Sequence, residues 1–500
     1  MTMRISLLRE RLGEIADINS AIALLQWDQE VYMPPKAAHG RGQQLATLSA
    51  LAHRLFTSAE IGEILSALSN SLSILEHADA CLVEVVLHDF DRATKLPESF
   101  VHEFAKTQSE AYEVWVHARK ESNFSLFEPL LARIVELNRR KADLLGFKES
   151  PYDALLNEFE RGMTTARVKS IFGELAPKQS ALVERIMASP RQPDVKWLDQ
   201  VWPTQAQWDF SEKVLRDIGY DFDAGRQDKS VHPFTTQFDV TDVRITTRLS
   251  ENDLFSALMG SIHEGGHALY TQGHDPADRR TPLLDGASLG LHESQSRMWE
   301  NMIGRSLPFW RHYLPVFQSY FPGQLENVTA EQVYAAINQV CPSLIRVEAD
   351  ECTYNLHIIL RFEIEVGLIE GALDVADVPE IWNAKMKQFL GLDVPNDAQG
   401  CLQDIHWSHG AFGYFPTYAL GNLYAAHLFE AILRDIPDLW GRVDSGDFMP
   451  LLEWLREKVH RHGRRMLAED IVQKATGSKP DSSAYLRYIG SKYSDLYGLE

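Results

Sequence analysis

Cysteine, basic charge and long apolar runs are the scarce features of this 500-residue chain. Its four cysteines (Cys81, Cys341, Cys352 and Cys401) are scattered, with no Cys-x-x-Cys pair. That excludes a disulfide framework and fits reduced thiols, so a cytoplasmic location is expected. Lys and Arg number 49 against 70 Asp and Glu, a formal charge of −21. Such a balance argues against nucleic acid or an anionic membrane surface as a partner. No stretch reaches the length of a transmembrane helix. The amphipathic start, Met1 to Arg11, lacks the uninterrupted apolar core of a signal peptide. Up to about residue 190 proline and glycine are sparse except at breaks such as Met33-Pro34-Pro35 and Gly40. Internal repeats and linkers long enough to separate independent domains are also missing.

Helical periodicity is what remains. With 45% hydrophobic residues the chain can bury a large core. The expectation is a mainly α protein, one helical domain over 1–500, with 1–190 mostly architectural and 191–500 carrying the chemistry. Segments 59–75, 82–91, 296–306, 308–318, 330–340 and 345–370 read as helices. His39, His53, His77, His88, His102 and His117 fall in the first part without ligand spacing to one another and read as surface or structural histidines. The one persuasive strand signal is 231–247, two short alternating segments around Thr241-Asp242. It predicts a small hairpin, which either braces the helix after it or offers an edge strand to an extended peptide.

That next helix carries His263-Glu264-Gly265-Gly266-His267, with Ser250 and Asp253 upstream reading as a capping box. One helical turn separates the two histidines, so both imidazoles leave one face and can reach one metal ion, with Glu264 beside it. A hydrolytic zinc site needs neutral imidazoles, an open position for water and a nearby carboxylate base. A third ligand is offered by Glu293, 30 residues beyond His263, on a segment whose Met298, Trp299 and Met302 suggest a second helix. Each glycine within a helix costs about 1 kcal/mol relative to alanine. Gly265 and Gly266 together therefore imply close approach by substrate or by a packed neighbour.

Two further segments concentrate polar chemistry. Arg346, in Ile345-Arg346-Val347-Glu348-Ala349-Asp350, reads either as a bidentate clamp for a free carboxylate or as part of a structural ion-pair network. The run from Gly400 to Tyr418 packs histidines, glycines and tyrosines into a turn-rich segment. It suits either donation of hydrogen bonds to an oxyanion or simple aromatic packing.

Taken in order, His232-Pro233-Phe234, Asp242-Val243-Arg244-Ile245-Thr246, His263-Glu264-Gly265-Gly266-His267, His292-Glu293-Ser294-Gln295, Ile345 to Asp350 and Gly400 to Trp407 resemble the signature motifs of the thermostable metallocarboxypeptidase family, also called carboxypeptidase Taq. The similarity extends to Trp27-Asp28-Gln29-Glu30, to Glu160-Arg161-Gly162-Met163 and to Lys492-Tyr493, and so covers nearly the whole chain. The resemblance implies a saddle-like helical body with a deep groove, a homodimer, and removal of single residues from peptides with a free C-terminus, using zinc or cobalt. It makes His263, His267 and Glu293 the metal ligands and Glu264 the general base. Arg346 would hold the terminal carboxylate, His409 and Tyr414 would serve the oxyanion, and Tyr418 and His232 would contact substrate. Two rivals stand beside this reading: an oligopeptidase or dipeptidyl carboxypeptidase with the same centre, and a non-catalytic helical scaffold with a structural metal.

Overall fold

The computed structural model describes residues 2–499. Its helices are α1 (Thr2–Val31), α2 (Ala38–Phe56), α3 (Ala59–Ser69), α4 (His77–Lys95), α5 (Glu98–Glu121), α6 (Phe124–Leu145), α7 (Pro151–Leu156), α8 (Thr165–Ala188), α9 (Thr204–Asp217), α10 (Ser256–Gln272), α11 (Leu289–Arg297), α12 (Leu307–Tyr320), α13 (Ala330–Ile337), α14 (Tyr354–Glu370), α15 (Val378–Leu390) and α16 (Pro416–Asp435), with four more between Leu439 and Tyr497. Strands β1 (Gln227–Lys229), β2 (Thr235–Asp239) and β3 (Asp242–Thr247) form a small sheet in the order β1-β3-β2. The mainly α expectation holds. No helix among the described residues is long and apolar enough to cross a membrane. All four cysteines are free.

Two apolar clusters organise the packing. The larger runs from Ala111 to Tyr497 and buries Trp202, Trp299, Trp310 and Trp382. A smaller one joins Ile5, Leu8 and Leu12 of α1 to Ile61 and Leu65 of α3, Leu82 and Val86 of α4, and Leu283. Beside the smaller cluster lies a cleft of about 900 Å³, lined by Ile15 and Ala52 and by Gln237, Phe238 and Leu284.

Side-chain hydrogen bonding sets two helix starts differently from their sequence-based positions. In place of a continuous helix over 345–370, Arg346–Glu348 makes a 3-10 turn and α14 starts at Tyr354. Asp350 interrupts the helix by accepting from the amides of Cys341, Cys352 and Thr353, a local alternative to helical bonding. Ahead of α10 there is no capping box; Asp253 Oδ1 alone accepts from the amides of Phe255 and Ser256, both at 3.0 Å. The hairpin sits at β2 and β3, as its alternation indicates, but β1 pairs in parallel with β3 and had no apolar alternation to reveal it.

Candidate metal centre and its surroundings

Helix α10 presents His263 and His267 on one face, ring centroids 4.9 Å apart. Glu293 on α11 faces them, its Oε2 3.6 Å from Nε2 of His263 and 3.4 Å from Nε2 of His267. One ligand atom from each of the three residues lies within 4.8 Å of the others. Both Nδ1 atoms are already engaged: His263 with Glu300 Oε2 at 2.8 Å, His267 with the carbonyl of His292 at 3.0 Å and with Nδ1 of His292 at 2.6 Å. The carboxylate and carbonyl acceptors favour the proton on Nδ1, the tautomer that leaves the Nε2 lone pairs directed at the shared space.

The glycines find their reason here. A Cβ on Gly266 would stand 2.6 Å from Ser296 Cα and 2.7 Å from the carbonyl of Gln295, so α10 and α11 touch backbone to backbone beside the triad. A Cβ on Gly265 would meet Leu215 Cδ2 of α9 at 2.5 Å. Packed neighbours, not substrate, occupy both positions. Gly421 of α16 does the same for Glu293, whose Cγ would lie 2.7 Å from an added Cβ.

Charges around the triad are arranged to suit a dication. Arg297 Nε donates to Glu293 Oε1 at 2.7 Å, leaving Oε2 toward the histidines. Arg305 Nη2 donates to Glu300 Oε1 at 2.9 Å. Burial favours the neutral acid at Glu293, but Arg297 and the two histidines outweigh it and hold the carboxyl well below the usual range. With neutral imidazoles, Glu264, Glu293 and Glu300 exceed Arg297 and Arg305 by one negative charge. Two imidazole nitrogens and one carboxylate oxygen converging in such a field are a donor set that fits zinc, and the residues present therefore fit a divalent ion.

Glu264 lies beside the triad with its carboxylate largely buried, and Thr235 Oγ1 of β2 stands 2.6 Å from its Oε2. Farther along, Arg346 is buried with Nε and Nη2 on Asp404 Oδ1, at 3.0 and 2.8 Å, and Nη1 donating to Tyr354 OH at 3.0 Å. The other oxygen of Asp404 takes Arg361 Nε at 2.7 Å. Two guanidinium groups thus share one carboxylate, which leaves a buried surplus of positive charge. Contact runs unbroken from this cluster to the triad, because Arg297 lies 4.5 Å over the Tyr354 ring.

The 400–418 segment divides its histidines differently from the sequence-based assignment. His409 is exposed, its ring 5.4 Å from Tyr112 of α5 and its carbonyl accepting from Gln108. His406 is the histidine packed against Tyr414 and Phe415, at 5.3 and 4.3 Å, with Nε2 3.4 Å from Tyr418 OH. Tyr414 and Tyr418 lie 5.3 Å apart, and Tyr418 packs 5.1 Å from the Arg346 guanidinium. Burial raises the pKa of both phenols, which keeps them protonated. His232 is also exposed; among the described residues its side chain makes no hydrogen bond or ring contact, and only its carbonyl is engaged, by Ser230 Oγ. Sequence reasoning missed Thr235, Arg297, Glu300, Tyr354 and His406. Arg297 and Glu300 had a weak signal, falling one and two helical turns after Glu293.

Comparison with known proteins agrees with this geometry. Residues 7–493 match the family described as carboxypeptidase Taq (M32) metallopeptidase. Carboxypeptidase 1 of Bacillus subtilis is 40% identical over 488 residues, covering 98% of this chain and 97% of that protein. Thermostable carboxypeptidase 1 of Thermus thermophilus is 40% identical over 496 residues, covering 97% of each. The M32 carboxypeptidase of Deinococcus radiodurans superposes with a TM-score of 0.97 at 41% identity, over 99% of this chain and 100% of that one. Metallocarboxypeptidase 1 of Trypanosoma cruzi gives 0.94 at 32% identity, over 99% and 100%. With the motifs in order, the metal-ligand geometry formed and the similarity spanning whole chains, this protein belongs to the carboxypeptidase Taq (M32) family of metallopeptidases.

Proposed function

We propose that this metallocarboxypeptidase removes single amino acids from the free C-termini of peptides. The observation that carries this reading is the buried pair Arg346 and Arg361 on the single carboxylate of Asp404, in contact with the triad through Tyr354 and Arg297. A surplus guanidinium charge at that position complements a terminal carboxylate and anchors the last residue beside the reacting bond.

His263, His267 and Glu293 would hold the ion, and a divalent ion bound there, zinc or cobalt, would supply Lewis-acid chemistry to the scissile carbonyl and to an attacking water. Glu264 is the base that takes the proton of the attacking water and returns it to the leaving amine nitrogen. Tyr414 and Tyr418, kept protonated by burial, donate to the carbonyl oxygen as charge develops there. His406, neutral because burial depresses its pKa to about 3, orients Tyr418. The peptide upstream of the cleaved bond lies along β2, an edge strand whose Gln237 and Phe238 line the cleft. A homodimer in a reducing cytoplasm completes the reading, supported by the family resemblance and by four free cysteines.

The test is hydrolysis of one peptide with a free and with an amidated C-terminus. Loss of cleavage on amidation is expected. Equal cleavage of both would favour an oligopeptidase using the same centre, and no cleavage of either by metal-replete protein would favour a scaffold. Glu264→Gln should keep its metal and lose turnover.

A further inference from the structure

Glu264 differs from the other two carboxylates of the site in how it is held. Glu293 and Glu300 are each tied to an arginine. Glu264 has no cation on its carboxylate; among the described residues the one donor within reach is Thr235 Oγ1, 2.6 Å from Oε2. The same hydroxyl lies 3.0 Å from the carbonyl of Glu264, and the shorter contact, to Oε2, takes its single proton.

Several contacts fix Thr235 in place. It pairs with Ile245 across the β2–β3 ladder. Just before it, the amide of Phe234 donates to Thr246 Oγ1 at 2.9 Å, fixing where β2 begins. Thr247 Oγ1 on β3 donates to the carbonyl of Ala257 at 3.1 Å, which ties the sheet to α10, the helix that carries Glu264. Pro233 packs over Gly260 of that helix, 3.7 Å from where a Cβ would stand. The two motifs around residues 232–234 and 242–246 thereby set the position of one hydroxyl relative to α10.

We infer that Thr235 is a positioning residue that fixes the carboxylate of Glu264 by hydrogen-bonding Oε2 from the edge strand, leaving Oε1 free to receive a proton. This rests on Glu264 being the base. A glutamate with three rotatable side-chain bonds and no fixed partner spends time in several rotamers, and misplacement of a reacting group by about 1 Å can reduce rate on the order of 100-fold.

The experiment compares Thr235→Val, Thr235→Ala and Thr235→Ser with the native enzyme, measuring bound metal, melting temperature, kcat and KM, together with a crystal structure of the Val variant. Val keeps the branched shape that suits a strand, and Ala serves if Val disturbs folding. Expected are native metal content, kcat lowered roughly 10- to 100-fold with KM within about twofold in both, recovery in Ser, and a Glu264 side chain in more than one rotamer. Unchanged kcat in Val and Ala would overturn the inference. So would a loss that Ser fails to rescue or that follows loss of metal, because the role would then be a structural brace. Glu264→Gln run alongside separates the two levels: if it stays active, the assignment of the base itself falls; if it is inactive and the Thr235 variants are native, only the positioning role falls.

Discussion

Removing Glu300 should weaken metal binding although Glu300 is not placed among the ligands. Its Oε2 holds the Nδ1 proton of His263 at 2.8 Å, and its Oε1 accepts from Arg305 at 2.9 Å. Burial opposes ionisation of Glu300, but His263, Arg305 and Arg297 prevail and keep it charged far below the usual carboxylate range. Glu300→Ala frees the imidazole to rotate and to exchange tautomers. Loss of such an outer partner typically lowers metal affinity about 10- to 100-fold, or about 1.4 to 2.7 kcal/mol. It also leaves the half-buried Arg305, among the described residues, with only the carbonyl of Ile337 as partner, which should destabilise the metal-free fold by about 1 to 3 kcal/mol. Glu300→Gln separates these effects: its amide oxygen still accepts from His263, so affinity should fall less, while the arginine still loses its countercharge. Competition against a chelator of known affinity gives the dissociation constant, and urea unfolding of metal-free protein gives the stability. Activity should return at saturating metal. An affinity within twofold of native in the Ala variant would refute the orienting role.

Two more outcomes follow from packing and titration. Gly266→Ala forces α10 away from α11 at Ser296, an overpacking cost of about 1 to 3 kcal/mol, and should lower melting temperature and metal affinity together; Gly265→Ala meets only the flexible end of Leu215 and should be milder, both read by calorimetry with and without metal. Glu365, buried on α14, accepts from Tyr152 OH, Trp407 Nε1 and the Gly413 amide, yet burial raises its pKa from 4.5 to about 7. A raised folded-state pKa means stability that is full below 4.5 and lost as pH rises through 7. Glu365→Gln does not titrate, so its stability relative to native should improve by on the order of 3 kcal/mol between pH 4.5 and 8, measured by urea midpoints. A difference that stays constant with pH would refute the shift.

How much was legible depended on how local the signal was. His263, Glu264 and His267 were readable because one helical turn is a backbone property, and the hairpin because alternation records which face of a strand is buried. Glycines 265 and 266 announced a close approach without saying to what. Helix 345–370 misled because the apolar period continues through Asp350, whose carboxylate competes for backbone amides in a way periodicity does not register. His409 and His406 are both polar and three residues apart; only the turn they share decides that one faces α5 and the other the tyrosines.

The sequence by itself determined the helical class, the metal-binding pattern and, through ordered motifs, the family. Each of these rests on short-range periodicity or on residues identifiable one at a time. Tertiary structure decided which partners those residues have: Thr235 on Glu264, Glu300 on His263, and Arg346 with Arg361 on Asp404. The contacts join positions 29, 37, 58 and 43 residues apart, and their geometry exists only once helices and sheet have packed. A hydrogen bond depends on distance and direction to within tenths of an ångström, and a one-dimensional pattern carries neither.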